Sequence, residues 1–165
     1  MFVNARAIIE RSSATGTEIL VQVRNKPREG RKSLELPGGQ VRDFESLVEA
    51  LRREVKEETG LDVIAVEGLE TRIATNGPNT SVECLTPLAV YQTLRGPVDS
   101  MGVYFRCRAE GELLAHGDES EAPRWVPVSR IRTMFAENSE QFSWVDRAGL
   151  QFYLNRLNST VSQQQ

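Results

Sequence analysis

Apolar and polar residues along several segments of the chain follow the pattern that strands require. Residues 3–9 and 18–23 are rich in β-branched side chains, and turn-forming residues separate the two segments. Residues 34–36 form a short strand that runs into the turn Pro37-Gly38-Gly39. Further strands are predicted over residues 63–72, 81–94 and 101–109. The pattern therefore predicts a fold built around a sheet.

Residues 46–59 have the spacing of an amphipathic helix, with aliphatic residues at positions i, i+4 and i+8. Ser46 and Glu49 form an S-x-x-E capping box at the start of this segment. Gly60 stands where a glycine commonly ends a helix. The apolar stripe consists of Leu47, Leu51 and Val55.

Two more helices are predicted, over residues 128–134 and 143–157. Residues 159–165 are polar and are predicted to form a disordered tail. The sequence contains no repeat and no linker, and 165 residues are enough for one domain with its own core. These features predict a single α/β domain over residues 1–158, with helices packed on a mixed sheet.

The net charge of the chain and its lack of long apolar stretches limit the kinds of partner that we expect. The net charge is −3, whereas proteins that bind nucleic acids usually carry a basic excess, so no nucleic-acid partner is expected. No stretch approaches ~18 consecutive apolar residues, and no signal peptide is visible at the start. We therefore expect no membrane partner and a cytoplasmic location. A phosphate-bearing ligand would have to be bound locally, by a metal ion or by a few basic side chains.

The few cysteines and the single histidine of this chain do not indicate a metal site built from these residue types. Cys84 and Cys107 are too few for a disulfide scaffold or a Cys-rich zinc site, and both are expected to be reduced packing residues. His116 is the single histidine and lies in a polar segment. A multi-histidine metal site is therefore excluded.

Three glutamates lie at the edge of the buried face of the central helix. At ~100° per residue, Glu54, Glu57 and Glu58 fall within an arc of about 100° beside the apolar stripe. Like charges at this spacing repel one another, and the repulsion grows at a half-buried edge. A hard cation such as Mg²⁺ removes the conflict because it takes oxygen ligands. For a Glu-x-x-Glu-Glu pattern taken alone, a solvated acidic helix remains the alternative.

The glutamates belong to a longer pattern over residues 39–61. It runs Gly39, five residues, Glu45, seven residues, and then Arg53-Glu54-Val55-Lys56-Glu57-Glu58-Thr59-Gly60-Leu61. This segment resembles the Nudix box, G-x5-E-x7-R-E-U-x-E-E-x-G-U with U aliphatic, at every specified position. The order of the surrounding elements is also similar to the α/β/α sandwich of that family, with a central box helix and a C-terminal helix.

The resemblance implies a role for each matching residue. Glu54, Glu57 and Glu58 would bind Mg²⁺ or Mn²⁺, and Gly39 would offer its backbone carbonyl near the cation. Arg53 would orient the glutamates by ion pairing, although a simple surface pair with Glu57 is the alternative. These five residues are the predicted metal and catalytic group of the box.

The resemblance also implies a reaction, the hydrolysis of a nucleoside diphosphate linked to another moiety. The substrate would be a nucleotide sugar such as ADP-ribose or a nucleoside triphosphate. Metal ions would lower the pKa of a bound water, and a carboxylate would accept its proton. In relatives this base is a box glutamate or one in a later loop. Glu121, in the segment before Trp125, is our candidate, whereas Glu45 would support the box loop or help to hold metal.

The rest of the chain gives few signs of the substrate. The basic loop over residues 26–32 could contact a terminal phosphate, and Phe44, Tyr104 or Phe105 could stack on a base. Period-2 alternation places Tyr104 and Phe105 on opposite faces of their strand, so at most one of them lines a pocket.

Several questions stay open in the sequence. A Nudix module that senses a nucleotide without cleaving it is the main alternative, and an acidic helix that only binds a basic partner surface is another. The number of metal ions is not determined. Homodimers are common among relatives, but nothing in the sequence decides the oligomeric state.

Overall fold

The computed structural model describes residues 1–24, 32–117 and 120–162, with side chains described as far as residue 159. The basic segment over residues 25–31 and the acidic residues 118 and 119 lie outside this description. The strands are β1 (Phe2–Ser13), β2 (Gly16–Arg24), β3 (Ser33–Glu35), β4 (Gly38–Gln40), β5 (Asp62–Val66), β6 (Ile73–Asn76), β7 (Ser81–Cys84), β8 (Ala89–Gln92), β9 (Ser100–Glu110) and β10 (Ser120–Pro127). The α-helices are α1 (Leu47–Thr59), α2 (Val128–Glu137) and α3 (Asp146–Ser162). None of these helices is both long enough and apolar enough to cross a membrane.

A mixed sheet forms the centre of the fold. Its strands follow the order β10-β2-β1-β9-β5, and β3, β4 and β8 pair with β2, β1 and β9, respectively. The central strands β1 and β9 run parallel, whereas the other pairings are antiparallel. This arrangement confirms the predicted α/β fold on a mixed sheet.

The two faces of the sheet carry separate cores. On one face, α1 packs through Leu51 and Val55 against strand residues that include Phe105. On the other face, α2 and α3 pack against residues that include Tyr104 and Ile8. Neighbours on one strand thus face opposite layers, as the alternation predicted. The result is the expected α/β/α sandwich.

Local interactions set the ends of α1. The Ser46 hydroxyl accepts a hydrogen bond from the Glu49 N–H at 3.2 Å, and the Glu49 carboxylate accepts one from the Ser46 N–H at 3.2 Å. Gly60 ends the helix with φ +80°, and its N–H donates to the Lys56 carbonyl at 3.0 Å. The predicted capping box and C-terminal glycine are confirmed, and their residues are needed because the helix ends are otherwise unsatisfied.

Other predicted boundaries were wrong. The strand predicted over residues 63–72 ends at Val66 and gives way to a 3₁₀ turn, Leu69–Thr71. Gly68 precedes that turn with φ +91°, a conformation that favours glycine and interrupts the strand. The strand predicted over residues 81–94 divides into β7 and β8 because β7 pairs only with β6 in a separate hairpin.

The C-terminal helix is displaced along the sequence relative to its prediction. It begins at Asp146, not at residue 143. Phe142 is extended and bridges to Leu34, the N–H of Ser143 donates to the Leu34 carbonyl at 2.6 Å, and residues 144–145 form a turn before the helix. It continues to Ser162 and therefore includes the first residues of the predicted disordered tail. Residues 163–165 lie outside the described part of the chain.

Candidate active site

The short strand β4 brings two glycines close to the box helix. Gly38 has φ +135°, and a Cβ there would lie 2.3 Å from the Ala5 carbonyl oxygen. A Cβ on Gly39 would lie 2.5 Å from Oε2 of Glu54. Gly38 therefore requires a residue without a side chain, whereas a side chain at Gly39 would displace the flexible carboxylate of Glu54. The absence of a side chain at Gly39 leaves its backbone directly beside a box carboxylate.

Arg53 gathers the carboxylates at the solvent side of the site. Its guanidinium binds Glu45 through two nitrogens, at 2.7 and 2.8 Å. It also donates to Glu54 at 2.6 Å and to Glu57 at 3.3 Å. The hydrogen bonds from Arg53 are the main reason that the pKa of Glu45 is lowered to about 2. Arg53 therefore contacts three carboxylates and not only Glu57, as a simple surface pair would require. Its role in orienting metal ligands stays a prediction.

Glu58 points away from Arg53 and into the protein. Its Oε2 accepts hydrogen bonds from the Gln22 side chain at 2.8 Å and from the Gly38 N–H at 2.9 Å. The residue is only 7% exposed. Burial first, and then the negative charge of nearby Glu35, raise the pKa of Glu58 to about 7. The carboxylate is thus held by neutral donors in a place where its charge is costly.

These groups line one cleft of about 700 Å³. Its wall includes Gly39, Glu54, Glu57 and Glu58 together with the arginines Arg6, Arg24, Arg42 and Arg53. The acidic donors are oxygen atoms only, which suits a hard cation such as Mg²⁺ or Mn²⁺. Gly39, which has no side chain, places its backbone beside the Glu54 carboxylate. The chemistry of these oxygen donors therefore fits a hard divalent metal.

The carboxylates nevertheless do not form a closed cage. Across residues 1–24, 32–117 and 120–162, no three acidic, histidine or cysteine side chains converge closely enough to hold a metal ion. Glu54 and Glu57 pair with Arg53, whereas Glu58 bonds to Gln22 and Gly38. The metal roles of these residues accordingly stay predictions.

Glu121 lies apart from this group. It belongs to strand β10, where it is paired in register with Val23, and not to a loop as predicted. Its carboxylate forms an ion pair with Lys32. Glu121 is not among the described residues that line the cleft. Its role as general base stays a prediction without geometric support.

Aromatic residues that the sequence did not single out line the other wall of the cleft. They are Phe2, Tyr91 and Trp144. The Tyr91 hydroxyl accepts a hydrogen bond from the Asn4 amide at 2.9 Å. The predicted stacking residues lie elsewhere, because Tyr104 and Phe105 are fully buried in the two cores and Phe44 is fully exposed. No local motif marks the three wall residues, which come together only when β1, β8 and the segment before α3 meet.

The sequence model of the NUDIX domain matches residues 1–145. A comparison with curated protein sequences gives no significant match.

Several solved structures share the fold. The NUDIX domain of Shewanella oneidensis NrtR, complexed with ADP ribose, matches with a TM-score of 0.62 and 18% identity, covering 95% of this chain and 88% of that chain. The Escherichia coli ORF135 protein matches with a TM-score of 0.61 and 21% identity, covering 94% and 89%, respectively. A MutT/nudix family protein from Enterococcus faecalis matches with a TM-score of 0.55 and 23% identity. The match covers 75% of this chain but only 42% of that relative.

At these low identities the structural matches establish only the fold. The match to the NUDIX domain model covers most of the sequence and establishes the family. The box carboxylates, the glycine strand and Arg53 occupy one cleft in that fold. The chain therefore belongs to the Nudix family and is a hydrolase that acts on phosphoanhydride bonds.

Proposed function

We propose that this hydrolase is a metal-dependent pyrophosphohydrolase that cleaves a nucleoside diphosphate linked to another moiety. The observation that carries the proposal is the single cleft in which Gly39, the box glutamates and several arginines meet. Oxygen ligands for a hard cation and guanidinium groups for phosphate oxygens are the two kinds of group that a pyrophosphate ester requires.

Each box residue has a role in this proposal. Glu54, Glu57 and Glu58, with the backbone carbonyl of Gly39, would hold Mg²⁺ or Mn²⁺. When bound, the metal would supply charge neutralisation at the pyrophosphate and a water of lowered pKa. Arg53 holds Glu54 and Glu57 in place by hydrogen bonds, so it orients the ligands without contacting the reacting atoms.

A nucleotide sugar is the substrate class that we favour. The NUDIX domain of NrtR, which covers most of this chain in the structural match, was crystallised with ADP ribose. The wall formed by Tyr91 and Trp144 offers ring faces for the base, and stacking on aromatic rings is tolerant of base identity. Nucleoside triphosphates remain the second class to be tested.

A substrate panel tests the enzyme proposal. Wild-type protein and Glu57→Gln would be assayed for phosphate-ester products with ADP-ribose, other nucleotide sugars and nucleoside triphosphates, each with Mg²⁺ or Mn²⁺. Glu137→Gln, an exposed change at the end of α2, is the matched control. We expect turnover in wild type and control and a loss of at least about 100-fold in Glu57→Gln. Tight nucleotide binding without turnover in wild type would instead support the sensing module.

The general base needs a separate variant. If Glu121 accepts the proton of the attacking water, Glu121→Gln should lower kcat by roughly 100-fold or more. A kcat within threefold of wild type would remove Glu121 from the mechanism and assign the base to a glutamate of the cleft. Circular dichroism would verify that the loss of the Lys32 ion pair leaves the fold intact.

We also propose a cytoplasmic location. The possible homodimer can be decided by light scattering coupled to gel filtration. A mass of 18.5 kDa would indicate a monomer, and twice that mass would indicate a dimer.

A further inference from the structure

The backbone of residues 36–38, which connects β3 to β4, is held by two charged side chains from distant parts of the sequence. The Leu36 N–H donates to Oδ2 of Asp146 at 3.0 Å, and the Leu36 carbonyl accepts from Arg6 at 2.9 Å. A longer contact of 3.4 Å joins Arg6 to the Gly38 carbonyl. Both backbone groups of Leu36 thus bond to this pair, whereas the Pro37 carbonyl accepts from the Ala7 N–H at 2.8 Å and β4 pairs with β1.

The two side chains also bind each other. Arg6 donates to Oδ1 of Asp146 at 2.6 Å and to Oδ2 at 3.0 Å, a bidentate pair between positions 140 residues apart. Arg6 is 5% exposed and Asp146 is fully buried. The Tyr104 hydroxyl lies 3.4 Å from Oδ1 and further restricts the orientation of the Asp146 carboxylate. Each charge is thus fixed in one orientation by its partner and its surroundings.

Stability alone is a weak reason for such a pair. Buried ion pairs lose much of their attraction to desolvation, and apolar replacements are often neutral or stabilising. The pair instead has a specific consequence for the cleft. It holds Gly38, whose N–H donates to Glu58 at 2.9 Å, and the adjacent Gly39, which lies against the carboxylate of Glu54.

We infer that Arg6 and Asp146 are positioning residues that hold residues 36–38 so that the backbone of β4 meets the carboxylates of Glu54 and Glu58. The inference rests on the proposed function, because those carboxylates are its metal ligands. Asp146 lies immediately beyond residues 1–145, the range that the NUDIX sequence model matches. The box therefore depends on a residue at the start of the C-terminal helix.

Replacing both members of the pair by apolar residues distinguishes a role in positioning the backbone from a role in stabilising the fold. Arg6→Met combined with Asp146→Leu removes both charges together, so neither is left buried alone. The matched control is Arg11→Met with Glu18→Leu, which removes a pair with the same 2.6 Å Nε–carboxylate distance at the far end of β1. Three quantities would be measured in each: Mn²⁺ affinity by calorimetry with the metal alone, hydrogen exchange of the Leu36 and Gly38 amides, and kcat and KM.

We expect the Arg6/Asp146 double variant to stay folded, with Mn²⁺ affinity at least tenfold weaker and the two amides exchanging at least tenfold faster. The value of kcat should fall by a similar factor while KM changes little, and the control pair should match wild type. Mn²⁺ affinity and amide exchange within twofold of wild type in the folded variant would overturn the inference. Equal losses in the control pair would overturn it as well.

A second variant covers the case in which the double variant does not fold. Asp146→Asn keeps a side-chain oxygen for the Leu36 N–H but removes the charge that orients Arg6. Unchanged Mn²⁺ affinity and Gly38 exchange in this variant would contradict the inference, whereas a tenfold weaker Mn²⁺ affinity with tenfold faster Gly38 exchange would support it. Should wild type cleave no nucleotide, the proposed function would fail, whereas the metal and exchange measurements would still decide the role of the pair.

Discussion

Arg53 and Arg6 each hold several carboxylates at the same cleft, but they do so in different surroundings. The side chain of Arg53 is 17% exposed at the rim, and it binds Glu45, Glu54 and Glu57. The side chain of Arg6 is 7% exposed in the floor, where it binds Asp146 and lies 3.6 Å from Glu35.

The two arginines differ in how far water can reach their charges and in what they contact. At the rim, the partly exposed Arg53 contacts the carboxylates that we propose as metal ligands. In the floor, each charge depends on its partner, because burial penalises a charge without one. Arg53 therefore binds side-chain carboxylates, whereas Arg6 also binds the backbone carbonyl of Leu36.

The largest expected effect is on stability in the floor. Arg6→Met leaves Asp146 buried without its cation and should lower the free energy of unfolding by about 3–5 kcal/mol. Arg53→Met should lower it by no more than about 1 kcal/mol, since the carboxylates it releases reach water. Urea denaturation of both variants at pH 7 measures the difference. Equal losses would erase the distinction between rim and floor.

The next effect is on activity at the rim. Arg53→Ala frees three carboxylates from their shared donor, and kcat should fall by about 10- to 100-fold. Arg53→Lys should recover little, because a single ammonium cannot reproduce the bidentate contact with Glu45. Steady-state kinetics at saturating Mg²⁺ measure both variants. A lysine variant with wild-type kcat would show that charge alone matters at this position.

Glu58→Gln tests the cost of the buried carboxylate. The pKa of Glu58 in the folded protein, about 7, lies above its usual value of 4.5, so the stability it contributes at low pH is lost as the pH rises through about 7. The neutral amide escapes that loss and can still accept from Gln22 and Gly38. Without metal, the variant should therefore be more stable than wild type at pH 8, by on the order of 2 kcal/mol, and equal to it at pH 4.

Thermal unfolding at pH 4 and pH 8 in the presence of a chelator checks this prediction. The same substitution should abolish most turnover, because it removes a proposed metal ligand. A variant less stable than wild type at pH 8 would contradict the view that the Glu58 charge is costly.

The smallest expected effect concerns the approach of β4 to α1. In Gly39→Ala the new methyl group displaces the Glu54 carboxylate, so kcat should fall roughly tenfold with little change in stability. Gly38→Ala is the contrasting change, because its methyl group meets backbone atoms and its φ of +135° is strained for alanine. It should lower the melting temperature as well as kcat. A Gly39→Ala variant as unstable as Gly38→Ala would show that both glycines serve packing alone.

Local residues explain why much of the box region could be predicted. The capping box, the apolar stripe and Gly60 all act within a few residues of one another, so pattern and spacing were enough to place α1. The three carboxylates at its buried edge followed from helical geometry. The difference in burial between these carboxylates did not follow, because Glu58 is buried through contacts with Gln22 and Gly38, whereas Glu57 is exposed.

Predictions about distant segments were less successful. Glu121 was predicted to lie in a loop before Trp125, but it belongs to β10, whose register with β2 places it beside Lys32. Phe44 was a stacking candidate, yet it is exposed outside the cleft lining, and Trp144 lines the wall instead. Which side chains meet across a sheet depends on strand order and register, and short apolar patterns do not encode either quantity.

The family, the box helix and the set of carboxylates can be read from the sequence alone, because those features lie within the 23 consecutive residues 39–61. Which charges are buried, and which groups hold them, depends on the folded arrangement of the chain. Arg6 and Asp146 are 140 residues apart, and Gln22 and Glu58 are 36 apart. Such pairs form only after the sheet register is set, and their burial decides the energetic cost of each charge.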